Sequence, residues 1–256
     1  MVGLYFSGTG NSKWAINTFI SKIDNNIKTY SIEDDDVIDK IKNEEFIVFA
    51  YPVMFSNIPK IVKDFFVNNK EIWLNKKFFV IATMGLFSGD GAGLIKRLLK
   101  KYKAKTIGGL HLKMPDSIGD EKALKRSLEK NKEIINNAII KIDKSVIALK
   151  NNKPKKEGLN IFYHIAGLFG QRLYFGHKTK KYSSKLKIDN SKCIGCAKCT
   201  KLCPMENIIL ENNKAKSLDK CTMCYRCINN CPTCAITLLG KKVIEQSVIE
   251  KYIDKQ

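Results

Sequence analysis

Two cysteine runs in the last quarter of the chain share one spacing. The first is Cys193-x2-Cys196-x2-Cys199-x3-Cys203-Pro204, and the second, 28 residues on, is Cys221-x2-Cys224-x2-Cys227-x3-Cys231-Pro232. Three thiolates two residues apart can wrap one face of an iron–sulfur cubane within a tight loop. The fourth ligand must come from elsewhere to close the opposite corner, and in runs of this spacing it serves the other cluster. We therefore expect two [4Fe–4S] clusters. Cys193, Cys196, Cys199 and Cys231 would hold one, and Cys221, Cys224, Cys227 and Cys203 the other. Crossed ligands tie the two halves together, which matters because about 50 residues cannot bury much core unaided. Cluster binding then becomes part of folding.

Zinc is the competing reading, since its sites also use cysteines two apart. Two runs of four, each followed by proline, fit it poorly. Cys234 is left over; it could replace Cys231 as a ligand, although Pro232 favours Cys231, and otherwise it reads as a small buried residue. All nine cysteines lie between Cys193 and Cys234, unlike a secreted disulfide scaffold. This region resembles the two-cluster ferredoxins, a likeness that implies one-electron transfer at low potential without substrate chemistry.

A second constellation stands near the N-terminus. Ser7-Gly8-Thr9-Gly10-Asn11-Ser12 follows an apolar run, Val2 to Phe6, and precedes a helical pattern. Hydroxyls and backbone N–H groups at a helix start form a natural anion site. The loop lacks the Gly-Lys-Ser/Thr of a Walker motif and the G-x-G-x-x-G of a dinucleotide fold.

This loop looks like the phosphate loop of flavodoxins. The likeness implies FMN, with Ser7, Thr9, Asn11 and Ser12 as side-chain ligands and Gly10 as a backbone donor. It also places flavin contacts on two further loops: Tyr51, Pro52, Val53, Met54, Phe55, Ser56 and Asn57, and then Thr83, Met84, Gly85, Phe87, Gly89, Asp90 and Gly91. Met54, Phe55 and Phe87 could supply apolar walls, and the glycines allow close backbone approach. The chain departs from flavodoxins in lacking a clear Trp/Tyr bracket; Trp14 and Trp73 read as packing residues. As a whole it is similar to the fused flavodoxin–ferredoxin proteins of anaerobes.

The elements that must position these loops alternate. Strands are expected at Val2–Phe6, Lys28–Ile32, Phe46–Tyr51, Phe78–Ala82 and Thr106–Leu112. Helices are expected at Ser12–Ile23, from Pro59 through Val67, at Gly93–Tyr102 and, as one long segment, at Asp120–Leu149. This reads as an α/β, doubly wound, flavodoxin-like five-stranded parallel sheet, followed by a small α+β two-cluster ferredoxin-like domain. The expected divisions are 1–150 for the FMN-binding unit, 151–187 for a basic, aromatic connector, 188–240 for the cluster domain and 241–256 for a helical tail. Ile161–Phe169, apolar between basic flanks, reads as a connector packing its apolar side between the domains, with a short interfacial helix as the alternative.

Composition bounds the rest. The formal charge is +20, with 25 basic and 17 acidic residues up to Lys150 and 20 and 8 beyond it. Two cluster–thiolate units and a flavin phosphate would offset about six charges. A basic surface suits an acidic redox partner protein; no nucleic-acid reading motif accompanies it. No apolar run reaches the roughly 18 residues of a membrane span, and the first residues do not read as an export signal, so a cytoplasmic protein without a transmembrane segment is expected. His111, His164 and His177 stand apart, without catalytic context. The function expected is an electron relay between two clusters and FMN. The alternative is an FMN-dependent reductase of a small substrate, such as a quinone or nitro compound, fed by its own clusters.

Overall fold

The computed structural model describes residues 1–86, 89–169, 173, 175 and 182–253. Five strands form one fully parallel sheet: β1 (Val2–Tyr5), β2 (Thr29–Ser31), β3 (Phe46–Pro52), β4 (Lys77–Met84) and β5 (Lys105–Lys113), in the order β2-β1-β3-β4-β5. This is the flavodoxin-like order, which opens a crevice where the connections reverse beside β1.

Residue alternation explains the two layers. On β3, Ile47, Phe49 and Tyr51 enter one core, while Val48 and Ala50 enter the other. On β4, Phe78, Val80 and Ala82 face the first and Phe79 and Ile81 the second. Both faces are buried, as parallel strands require. Helices α2 (Val37–Ile41), α3 (Lys60–Asn68) and α4 (Gly91–Lys100) cover the first face through Val37, Ile41, Val62, Phe66, Ile95 and Leu99. Helices α1 (Asn11–Ser21) and α5 (Leu128–Lys150) cover the second through Ile16, Phe19, Ile135 and Ile142.

After α5 the chain returns along β5, where Lys156 bridges Gly109 in parallel. It then forms α6 (Ile161–Gly167). Beyond it, Lys187–Ile188 pairs antiparallel with Ile236–Thr237. A hairpin joins Ile208–Glu211 to Lys214–Ser217 through Asn212 and Asn213, both at positive φ, as a tight two-residue turn demands. Two short helices, Lys198–Leu202 and Arg226–Asn230, each follow a cysteine loop. Leu186, Ile208, Ala215, Tyr225, Ile228, Ile236 and Leu238 make a third, smaller core.

Three expectations need correction. Helix α5 begins at Leu128, capped by Ser127, rather than at Asp120, because Asp120 is committed elsewhere. The apolar residues of α6 do not pack between domains: Ile161, Phe162 and Ile165 are exposed, and so is Phe169 beyond the helix. The tail after 240 is not a helix; among its described residues only Ile249–Lys251 forms a 3-10 turn. Ile249 and Tyr252 pack into the second core beside α1. The sequence pattern also missed α2 and a 3-10 turn at Lys70–Trp73.

Candidate redox site

The thiols gather in two sets. Cys193, Cys196, Cys199 and Cys231 line one cavity, together with Ile194, Ala215 and Pro232. Cys203, Cys221, Cys224 and Cys227 line a second, with Ile208, Thr222 and Met223. Each set takes three cysteines from one run and the fourth from the other. Folding brings this crossing about by packing the helices Lys198–Leu202 and Arg226–Asn230 against each other. Among the described residues no three ligand side chains meet as a single ion would need; the thiols surround a space.

Backbone amides point at the sulfurs. Ala215 N–H donates to Cys193 Sγ at 3.4 Å, Asn207 N–H to Cys203 at 3.3 Å, Met223 N–H to Cys221 at 3.3 Å and Ala235 N–H to Cys231 at 3.3 Å. Amides from Ala215 and Gly195 hold the Cys193 thiol below its ordinary range. In the second set burial dominates, pushing Cys224 up to about 12 and Cys227 well above the ordinary thiol value. A positive ion or cluster must displace those protons to bind. The Thr222 hydroxyl, buried in the second cavity's wall, has no partner among the described residues. Cys234, at positive φ just past Cys231, lines neither cavity.

The Ser7–Ser12 loop lies against the second set. A β-carbon on Gly8 would stand 2.2 Å from the Cys224 carbonyl oxygen, so only glycine permits this approach. Arg226, just after Cys224, donates to the Ser7 carbonyl at 2.7 Å and to Glu33 at 2.6 and 2.8 Å. Gly10 takes φ 92° at the start of α1, which has no side-chain cap. The Ser7 hydroxyl is buried without a partner among the described residues. An orphaned hydroxyl beside uncapped helix amides suits a phosphate oxygen. Two of the expected side-chain ligands are occupied. Ser12 Oγ is 2.7 Å from Thr83 Oγ1, and Asn11 Nδ2 donates to the Pro115 carbonyl at 2.8 Å.

A cleft of about 290 Å³ opens between the units. Of the expected flavin contacts, Asn11, Pro52, Val53, Met54, Phe55, Ser56, Thr83, Met84 and Gly85 line it. Phe55 and Ser56 both take positive φ in a turn closed by Met54 and Asn57, a strained backbone for a bulky residue. The Phe55 ring packs near Tyr182 and Phe175, with centroids at 5.2 and 5.5 Å. Ser7, Thr9, Gly10, Ser12, Tyr51, Asn57, Gly89, Asp90 and Gly91 do not line the cleft. Tyr51 donates from its hydroxyl to the Gly91 carbonyl at 2.6 Å, and Gly89 and Asp90 support α6. Phe87 lies outside the described residues.

Sequence reasoning missed Asp116, Phe175, Tyr182, Met223, Tyr225 and Leu239, all in the cleft wall. Burial raises the Asp116 carboxyl above its ordinary range. Met223 and Tyr225 sit inside the second cysteine run, and their spacing gave no sign that they would reach another domain. Asp120 fixes that geometry. Its buried carboxylate accepts from the amides of Leu238, Leu239 and Gly240 at 2.6, 2.9 and 3.1 Å and from the Tyr225 hydroxyl at 3.1 Å.

Residues 185–244 match the family model described as a 4Fe-4S dicluster domain. A ferredoxin of Methanothermococcus thermolithotrophicus is 46% identical over 56 residues, which cover 92% of that protein and 20% of this chain. The chain belongs to the ferredoxin family. An uncharacterized ferredoxin of Methanocaldococcus jannaschii is 39% identical over 56 residues, 73% of its length. The ferredoxin domain is thus an iron–sulfur electron-transfer domain carried on a larger chain. For the other unit, a Megasphaera elsdenii flavodoxin aligns over 45% of this chain and 89% of its own at 24% identity and TM-score 0.40. A Fusobacterium nucleatum flavodoxin, solved with flavin mononucleotide, aligns over 59% and 96% at 15% identity and TM-score 0.42.

Proposed function

We propose that the chain is an internal electron relay, with FMN held in the cleft and two [4Fe–4S] clusters held by the crossed thiol sets. One observation carries this reading: Met223 and Tyr225 belong both to the wall of the second thiol cavity and to the wall of the cleft. In this reading Cys193, Cys196, Cys199 and Cys231 hold one cluster, and Cys203, Cys221, Cys224 and Cys227 the other. FMN would bring chemistry able to exchange one or two electrons with one-electron clusters. The chain's own residues bind and orient: Ser7 and the α1 amides meet the phosphate, and Phe55, Met54 and Met84 wall the ring. Met223, Tyr225 and Leu239 exclude water between the cleft and the second set. The first set faces outward, with Cys196 and Ile194 exposed, and is the side open to a redox partner. The lysines of this domain suit an acidic one.

The test is metal and flavin analysis of protein prepared without oxygen. About eight irons and one FMN per chain are expected. Cys196→Ser should lose the iron of one cluster and keep the flavin, while Ser7→Ala with Thr9→Ala should weaken flavin retention and keep the iron. Iron content unchanged in Cys196→Ser would overturn the ligand set, and flavin retention unchanged in the double variant would overturn the phosphate loop.

A further inference from the structure

Helix α6 is amphipathic in the reverse of the usual sense. Its inward side is the polar one. Asn160 caps it through the Tyr163 N–H at 3.0 Å, and His164 Nδ1 lies 3.0 Å from Asp90 Oδ2. The Tyr163 ring meets His111 edge-on at 5.8 Å. Gly167 seats so close to the loop after β4 that a β-carbon on Gly89 would be 2.2 Å from the Gly167 Cα. These contacts leave Ile161, Phe162 and Ile165 pointing away from the fold, followed by Phe169 one turn on. Positions i, i+1 and i+4 share one stripe at the helical period, and Phe169 follows just past the helix end. The four residues are 60, 77, 47 and 70% exposed. A helix held by specific polar contacts with its apolar stripe outward offers that stripe to something else.

Charge selects the partner. Lys153, Lys155 and Lys156 are exposed just before the helix, and Lys185 and Lys187 are exposed beyond it. Lys96 reaches in to the Leu159 carbonyl at 3.1 Å. Glu157, the one acidic residue between 151 and 169, is paired with Lys141 at 2.7 Å. An apolar stripe with phenylalanines, set among lysines in a stretch whose single carboxylate is paired, matches the acyl boundary of an anionic bilayer. An acidic protein surface would answer the lysines but leave two phenylalanines without an apolar partner.

We propose that α6 is an interfacial helix that lays the α/β unit on an anionic lipid surface. The helix rests on the surface without spanning it: no helix among the described residues is long and apolar enough to cross a membrane. A stripe of four residues binds marginally by itself, so the lysines act as the second signal. The loop under Gly167 follows β4, whose last residues Thr83 and Met84, with Gly85 just after them, line the cleft, so docking would bring the cleft end of the molecule to the lipid.

Flotation of the anaerobic holoprotein with vesicles tests this. We expect it to rise with phosphatidylcholine–phosphatidylglycerol vesicles at low salt and to stay behind with phosphatidylcholine alone. Phe162→Ser with Phe169→Ser should weaken partition roughly tenfold or more. Lys153→Glu with Lys155→Glu and Lys156→Glu should weaken it and flatten its salt dependence. Iron content and visible spectrum, unchanged in each variant, show that the fold is retained. Wild-type protein that ignores anionic vesicles, or a Phe162/Phe169 variant that binds them as well as wild type, overturns the proposal. So does a wild-type dimer in light scattering that the Phe162/Phe169 variant abolishes, since a second copy would then cover the stripe.

Discussion

At the residue scale, single groups hold the two units in register. Asp120 is the clearest. Its carboxylate is buried, and one of its oxygens takes three successive amides of the segment that ends the ferredoxin domain. Replacing it by alanine strands those amides and the Tyr225 hydroxyl, so Asp120→Ala should cost about 3 kcal/mol or more. A lowered urea midpoint with unchanged slope would show it, and an unchanged midpoint would mean that water replaces the carboxylate at no cost. Gly8 is the second case. Gly8→Ala places a methyl against the Cys224 carbonyl, which is backbone and cannot rotate away. The variant should separate the Ser7–Ser12 loop from the second thiol loop and, if that loop holds FMN as proposed, lose flavin affinity, read by equilibrium dialysis against FMN. Undiminished affinity would show that the two loops are independent.

At the element scale, α4, β5 and α6 meet at His111. Its Nε2 accepts from the Ala92 N–H at 3.0 Å, and Glu157 accepts from the His111 amide at 2.9 Å. Burial lowers the imidazole from 6.5 to about 4, outweighing the nearby carboxylates. The sign follows from linkage. Below 6.5 the unfolded chain takes up a proton that the folded one refuses, so stability is full above 6.5 and falls until the folded group titrates near 4. The loss across that window is roughly 3 kcal/mol. Denaturation curves at several pH values should show the decline, and His111→Gln should flatten it. An equally steep decline in the variant would assign it to other groups. The helix patterns behind these elements were largely legible in the sequence. The exception was α6, where the apolar residues were expected to turn inward. They do not, because Gly89, Asp90 and His111 hold the opposite side.

At the scale of the whole molecule, the two units differ in what sustains them. The α/β unit has two large cores, rich in fully buried phenylalanine and isoleucine. The third core is small and borders the thiols themselves. Removing the clusters should therefore melt the ferredoxin domain while the parallel sheet stays folded. Limited proteolysis of oxidatively bleached, chelated protein should cut between 185 and 244 and leave an intact N-terminal fragment. A digestion pattern identical to that of the holoprotein would refute this. The segment after 240 returns to the second core through Ile249 and Tyr252, and the Ile249 N–H donates to the Thr9 carbonyl at 3.0 Å. The cluster domain is thus tied to the α/β unit at its C-terminal end.

By itself the sequence determined the chemistry and the architecture. Cysteine spacing is a local property, so the two runs and their ferredoxin character could be read without coordinates, and strand–helix alternation carried the parallel sheet. The Ser7–Ser12 loop was likewise legible, because a glycine-rich turn at a helix start is defined by neighbours in the chain. Only the tertiary structure decided which faces meet. That Met223 and Tyr225 wall the cleft, that Arg226 reaches Ser7, that Ser12 is spent on Thr83 and that α6 shows its apolar side to the outside all depend on pairs far apart in sequence. No local pattern encodes such pairs, since the docking of one unit on another is selected by shape and by a few buried polar groups such as Asp120.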